Sequence, residues 1–399
     1  MNSETLEEDY GDRWLGLAWN HDLLTEILVL LPAKSVTRCK LVCKHWLSLI
    51  SSDKFCHLHT LRCPELRPSL LLNLKTPGLQ FFNFSPIMNG EKMMNPYTFS
   101  VPNPIIVSSC NGLMLLKTHW KEESFHVYNS TTKLSRKLRF PVAHSDNYPY
   151  SPYTVTLALA FDPSESPHYK VVCIRSTTDR RADPDEIHTY RIDVYDSQSR
   201  AWKLRMGSFM FPGRLHICGG GMGVYWNGLI YWEVPNEIRC YDIARNEFKT
   251  LSLPNYPPIP IHPMTGWIAA SCLQEANGHL YQSRVLTVDN RQLIVLFELE
   301  MDDDRSSSWL LRYDETISQH ERTPSYHSYA LQLRLIKGSH GIETCSVVSC
   351  MSGKISVYSF LDKSSKLLVD LTGQPFDVDE DDVASDLQMY EYVECLAVV

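Results

Sequence analysis

The hydrophobic period of this chain changes once, near residue 64, and that change limits the fold to a small helical unit followed by a larger one built of strands. Apolar side chains recurring every three or four residues line one side of a helix, while a two-residue alternation lines one side of a strand. In residues 21–31 Leu23, Leu24, Ile27, Leu28, Leu30 and Leu31 keep the helical spacing, with Asn20 as a cap, Asp22 at the positive end and Pro32 as a stop. Ser35 offers a cap for a second helix through Val36 and Cys39. Val42, Trp46, Leu47, Leu49 and Ile50 make a third apolar face before Ser52-Asp53 restarts the chain. Three helices in about 40 residues cannot bury all of these side chains among themselves. The surplus apolar surface implies a partner.

Beyond Pro64 and Pro68 the chain reads as all-β, with turn pairs Asn111-Gly112, Asn227-Gly228, Asn277-Gly278 and Ser352-Gly353. One hairpin edge recurs as Phe125-His126-Val127-Tyr128-Asn129-Ser130, Ile192-Asp193-Val194-Tyr195-Asp196-Ser197 and Ile238-Arg239-Cys240-Tyr241-Asp242-Ile243, and more weakly as Ile355-Ser356-Val357-Tyr358-Ser359-Phe360. Return strands are expected at 134–138, 201–204, 248–253 and 366–369. An aromatic packed between blades, an Asn or Asp tolerating the turn backbone and a return strand make the outer hairpin of a propeller blade. About 330 residues at ~45–50 per blade give six blades, with seven as the alternative. Residues 390–399 are apolar on both sides, Tyr392 and Leu396 on one and Val393, Cys395 and Ala397 on the other, so they are expected to pair with strands at 69–74 and 79–85 and close the ring.

Composition serves mainly to exclude. A chain with 44% hydrophobic and 21% charged residues is not wholly disordered, and 38 Lys+Arg against 46 Asp+Glu leaves no overall basic surface for nucleic acid. No apolar run approaches the ~18–20 residues that cross a bilayer. The opening residues Glu4, Glu7, Glu8, Asp9 and Asp12 are acidic where a secretory leader is basic, so a cytoplasmic or nuclear location with reduced thiols is expected. Twelve cysteines without one Cys-x-x-Cys read as buried free thiols. No His-Glu-x-x-His, Gly-x-Ser-x-Gly or Gly-x-Gly-x-x-Gly occurs, and Gly219-Gly220-Gly221-Met222-Gly223 runs into a strand rather than a helix. The expectation is a non-catalytic chain without cofactor or metal. Cys39, Cys43, His57 and His59 are weighed as metal ligands and set aside, the acidic cluster from Asp377 to Asp386 reads as a solvated loop, and Trp226, Tyr231 and Trp232 read as core.

The helical segment then resembles a known motif. Asp22-Leu23-Leu24-Thr25-Glu26-Ile27-Leu28, Leu31-Pro32-Ala33-Lys34-Ser35-Val36 and Leu41-Val42-Cys43-Lys44-His45-Trp46-Leu47-Ser48-Leu49-Ile50 closely resemble the F-box. Further stretches, among them Phe161-Asp162-Pro163, Tyr169-Lys170-Val171-Val172 and Trp226-Asn227-Gly228-Leu229-Ile230-Tyr231-Trp232, resemble the F-box-associated, kelch-like β-propeller domain of plant F-box proteins. The resemblance implies an acidic flexible segment at 1–18, a three-helix F-box at 19–60, a linker at 61–68 and a substrate-binding propeller at 69–399. It also implies an adaptor of a Skp1-cullin-F-box ubiquitin ligase, which binds a Skp1-like subunit, reaches the cullin through it, and presents a target protein for ubiquitination. Leu23, Ile27, Leu28, Leu31, Pro32, Val36, Leu41, Val42, Cys43 and Trp46 are the implied Skp1-binding residues. Trp19 and Asn20 stand where the family usually has Leu-Pro, so weaker docking is expected, with Asn20→Pro strengthening it. Residues 32–63 carry Lys34, Arg38, Lys40, Lys44, Lys54 and Arg62 against Asp53 alone, which favours an acidic partner. Loops 176–186 and 301–308 are the expected target-capturing loops, on one face of the propeller. The alternative is a propeller interaction module acting without ligase assembly.

Overall fold

The computed structural model describes residues 20–62, 69–74, 80–84, 94–118, 124–139, 153–177, 187–212, 222–234, 237–255, 266–288, 291–301, 307–318, 332–336, 345–351, 354–370 and 387–399. Four short helices come first: α1 (His21–Leu28), α2 (Ala33–Cys39), α3 (Lys44–Ile50) and α4 (Asp53–Arg62). Asn20 caps α1, its Oδ1 accepting from the N–H groups of Asp22 at 3.1 Å and Leu23 at 3.2 Å. Two expectations change here. Helix α2 starts at Ala33 behind Pro32 rather than at a Ser35 cap, because proline loses no hydrogen bond at a helix start. A fourth helix follows the expected three, begun by Ser52 Oγ accepting from the Phe55 N–H at 3.2 Å. Its buried face, Phe55, Cys56, His59 and Thr60, is half polar, which hid it from a purely apolar period.

The described strands are antiparallel and form six four-stranded sheets. In chain order the first is β1 (Ser69–Leu74), β2 (Gln80–Phe84) and β3 (Met94–Tyr97) with β24 (Leu387–Tyr392). The second is β4 (Pro104–Cys110), β5 (Leu113–Thr118), β6 (Ser124–Asn129) and β7 (Ser135–Leu138), and the third is β8 (Tyr153–Ala160), β9 (Lys170–Ser176), β10 (Ile187–Asp196) and β11 (Ala201–Pro212). The fourth is β12 (Val224–Trp226), β13 (Leu229–Val234), β14 (Glu237–Asp242) and β15 (Glu247–Ser252). The fifth is β16 (Gly266–Ala276), β17 (His279–Val288), β18 (Arg291–Met301) and β19 (Ser307–Ser318). The last is β20 (Gln332–Ile336), β21 (Ser346–Met351), β22 (Lys354–Ser359) and β23 (Ser364–Asp370). The inner strands β24, β4, β8, β12, β16 and β20 touch one another in that order and β20 returns to β24, a closed all-β propeller.

All four recurring hairpins are the outer pairs of sheets, and their tyrosines pack toward the preceding sheet. Tyr128 lies with Tyr390 and Leu71, Tyr195 with Leu115 and Val127, Tyr241 with Val172 and Ile192, and Tyr358 with Ile294 and Leu296. The neighbours Tyr231 and Trp232 point to opposite sides and enter the cores on either side of their sheet. The turn residue works differently from the expectation. Asn129, Asp196 and Asp242 use their side-chain oxygens to accept from N–H groups two and three residues on, at 2.8–3.3 Å. The left-handed backbone falls instead four residues later, on Lys133 (φ 62°), Arg200 (φ 54°) and Asn246 (φ 62°), and in the weaker copy on Lys363 (φ 49°), four residues after Ser359. Asn111-Gly112, Asn227-Gly228 and Asn277-Gly278 do hold positive φ at both positions, whereas Ser352-Gly353 lies outside the described residues.

Closure comes from β24, whose Leu387–Tyr392 pairs with β1 from Leu74 back to Ser69. The strand stops at Tyr392, earlier than expected, because the residues after it have another task. Asn129 Nδ2 donates to the carbonyls of Ala397 at 2.8 Å and Cys395 at 3.2 Å, and the Cys395 N–H donates to Thr131 Oγ1 at 3.0 Å. Gly112 leaves room for this segment; a Cβ there would stand 2.5 Å from Cys395 Sγ and 2.8 Å from the Val393 oxygen. Removing residues 388–399 should lower the melting temperature by about 10 °C or more; a thermal denaturation curve unchanged by the truncation would contradict this closure.

Candidate functional site

The helical unit has apolar residues on more than one side, and the structure shows which side is spent on its own core. Leu24, Leu28, Val36, Leu49, Ile50 and Phe55 are buried together, with Leu31, Cys39 and Trp46 half-buried against them. Of the sequence-predicted docking residues, Leu28 and Val36 therefore hold the helices together. Leu23, Ile27, Pro32, Leu41, Val42 and Cys43 face outward, Ile27 being 54% and Leu41 89% exposed. Leu30 and Leu47, absent from that set, are exposed as well. Their signal was available: α1 and α3 carry more apolar residues than one stripe of a short helix can bury. A concentration of bare leucine, isoleucine and valine on α1, on α3 and in the α2–α3 connection marks an interaction surface.

The propeller has two ends, set by which strand connections emerge there. The end carrying Asn111-Gly112, residues 161–169 and the turn 197–200 faces the helices. This follows from α4, which lines a cavity together with Phe161, Tyr169 and Arg200. Loops 178–186 and 302–306 lie outside the described residues. The first joins β9 to β10 and the second β18 to β19, the second-to-third and third-to-fourth strands of their sheets, so they leave opposite ends. The expectation that both serve one face is therefore corrected by strand parity. The acidic cluster from Asp377 to Asp386 and Gly219, Gly220 and Gly221 also lie outside the described residues. Gly223 is packed tightly, since a Cβ there would stand 2.6 Å from that of Ala158 and 2.7 Å from Trp232 Nε1.

Residues 79–302, more than half of the chain, match the F-box associated beta propeller domain, and residues 19–58 match the F-box domain. The chain belongs to the F-box proteins with an associated propeller. Among its relatives, the F-box protein At5g07610 of Arabidopsis thaliana is 27% identical over 95% of this chain and 92% of its own length. F-box only protein 8 of the same plant is 26% identical over 60% of this chain and 82% of its own, and the F-box/kelch-repeat protein At3g23880 is 26% identical over 63% and 68%. An F-box joined to a propeller indicates a role of substrate-adaptor type, and an F-box in general implies a Skp1-like partner.

Electrostatics refine the F-box surface. Lys34 pairs with Glu394 of the segment after β24 and stands 5.7 Å over the Tyr392 ring, and Arg62 donates to both Glu26 oxygens at 2.9 and 3.0 Å. Two of the six local cations are thus engaged within the chain, which lowers the charge offered to a partner. His59 is buried and its Nε2 lies 2.8 Å from the Leu31 carbonyl, tying α4 to the end of α1, so it is no free metal ligand. Among the described residues no group of three or more His, Cys, Asp or Glu is disposed to hold a metal. Asn20 has its own task as the α1 cap, so Asn20→Pro removes a stabilising bond whatever it does for docking.

The F-box core includes one residue from the far end of the chain. Leu396 is 2% exposed and packs with Leu24, Leu28, Val36 and Phe55. Its neighbours Cys395 and Ala397 belong to the core between the second and third sheets. Leu396→Ala should cost about 2–5 kcal/mol of stability, whereas Leu41→Ala should change it by less than about 0.5 kcal/mol; chemical denaturation of the two variants checks the contrast. Burial holds the His59 imidazole below its ordinary pKa, against the opposing Leu31 hydrogen bond. The unfolded chain therefore takes up that proton first, and stability from this group falls as pH drops below about 6.5. Melting curves between pH 7 and pH 5 should lose less stability with acidification in His59→Gln than in the wild type.

Proposed function

We propose that this protein is the substrate-recognition adaptor of a Skp1-cullin-F-box ubiquitin ligase, acting in the cytoplasm or nucleus. The observation that carries the reading is the outward-facing apolar set on the F-box, Leu23, Ile27, Leu30, Leu41, Val42 and Leu47, on a unit whose own core is already complete without it. A Skp1-like subunit binds there and links the chain to a cullin. The propeller captures a target protein, and ubiquitin transfer is accelerated by proximity to the loaded enzyme rather than by chemistry of this chain.

Arg38, Lys40 and Lys44, on α2, just after it and on α3, lie near the apolar set in sequence and favour an acidic partner surface. Such charges mainly speed encounter, while the buried leucines and isoleucine supply affinity. The double variant Ile27→Asp with Leu41→Asp should weaken binding of a Skp1-like subunit at least thirtyfold, more than ~2 kcal/mol. Its melting temperature should stay within a few degrees of wild type, since neither side chain is buried. Co-purification and a reconstituted ubiquitination assay with cullin test the reading. A wild-type chain that retains neither subunit while still holding a target protein would favour a propeller interaction module working alone.

A further inference from the structure

A cavity of about 240 Å³ lies where helix α4 meets the third sheet and the segment after β24. It sits on the F-box side of the propeller, and none of the outward-facing leucines of α1 and α3 lines it. Its apolar lining comprises Phe161, Pro163 and Pro167 from the β8–β9 connection together with Ala397. Its polar lining is rich in donors, Arg136, Arg200, His57, His168 and the Tyr169 hydroxyl, against the Asp53 carboxylate and the Val399 oxygen that accepts from Arg136.

Two polar atoms in this wall, the Tyr169 hydroxyl and His57 Nδ1, are buried with no acceptor in hydrogen-bond geometry among the described residues. Tyr169 is only 1% exposed. A buried phenol normally finds an acceptor, and leaving one unmatched costs stability. The Arg136 guanidinium beside it can only donate, so it leaves the phenolic hydrogen without an acceptor. One Arg136 nitrogen donates to the Val399 oxygen at 3.0 Å, leaving other guanidinium donors unused by that bond. Burial, with Tyr195 next to it, pushes the Tyr169 hydroxyl pKa up and keeps it a donor.

We propose that this cavity binds a small organic carboxylate with an apolar or aromatic body, its carboxylate accepting from Tyr169, Arg136 and Arg200 and its body resting on Phe161 and the two prolines. The volume lies just below the ~300–1,000 Å³ of pockets for drug-sized ligands, so the ligand is of single-ring size. Planar guanidinium groups favour carboxylate over a neutral isostere because charge-assisted hydrogen bonds are the stronger ones. Since the walls come from both the F-box and the propeller, the ligand fastens the two together and stabilises the whole chain by mass action.

The test uses the intact chain with benzoate as probe, benzamide as its neutral isostere and inorganic phosphate as a second anion, read by calorimetric titration and melting temperature. Benzoate should bind saturably at one site and raise the melting temperature, and benzamide should bind at least tenfold more weakly. Tyr169→Phe and Arg200→Gln should each weaken benzoate at least fivefold while moving the ligand-free melting temperature little, since the first removes a buried hydroxyl whose hydrogen has no acceptor and the second an exposed side chain. The proposal is overturned if benzoate does not bind, if benzamide binds equally, or if both variants bind benzoate like wild type. Phosphate binding as tight as benzoate would also overturn it, by showing an anion site without selectivity for a carboxylate and its body.

Discussion

The side-chain amide of Asn129 holds the segment after β24 at two carbonyls, Cys395 and Ala397, and the geometry of the whole chain follows from that anchorage. Between those two residues Leu396 must point away from the propeller core, and the F-box core receives it. One short segment thus belongs to both hydrophobic cores. Lys34 with Glu394 and Arg136 with the Val399 oxygen add polar contacts on either side of it. The adaptor role proposed above would need a fixed relation between the docking surface and the capturing domain, since loose positioning lowers effective concentration. The shared segment supplies that relation through burial, which salt does not screen, more than through the exposed ion pair, which salt does.

The same economy explains the exposed leucines. The four helices reach a closed core from Leu24, Leu28, Val36, Leu49, Ile50 and Phe55 with help from Leu396, so the outward residues contribute little to folding. Keeping Leu41 and Ile27 in water is unfavourable by roughly 25 cal/mol per Å² of apolar surface, and burial against a partner recovers it. That is the pattern of a binding surface rather than of an incomplete fold.

Much of this was legible in the chain. Tyr128, Tyr195, Tyr241 and Tyr358 marked the outer hairpins because an aromatic before a polar turn has one economical place in a propeller sheet, and the Asn-Gly pairs marked tight turns because both positions demand a left-handed backbone. What escaped did so for local reasons. Helix α4 buries His59 and Thr60, residues that an apolar period does not count. Leu28 and Val36 could not be told from Ile27 and Leu41, since a short helix with apolar residues on several sides does not announce which side is covered. The task of Leu396 was hidden because it is fixed by contacts more than 300 positions away, across the closed ring. Loops 176–186 and 301–308 were assigned to one face because their strand parity is a property of the sheet order, which composition does not carry.

The most direct test is amide hydrogen exchange on the intact chain with and without a Skp1-like subunit. Protection confined to α1–α3 and the connections between them, with the propeller strands unchanged, is the predicted result. No protection in residues 20–50, or protection arising on the propeller instead, would contradict the assignment of the exposed F-box leucines as the docking surface.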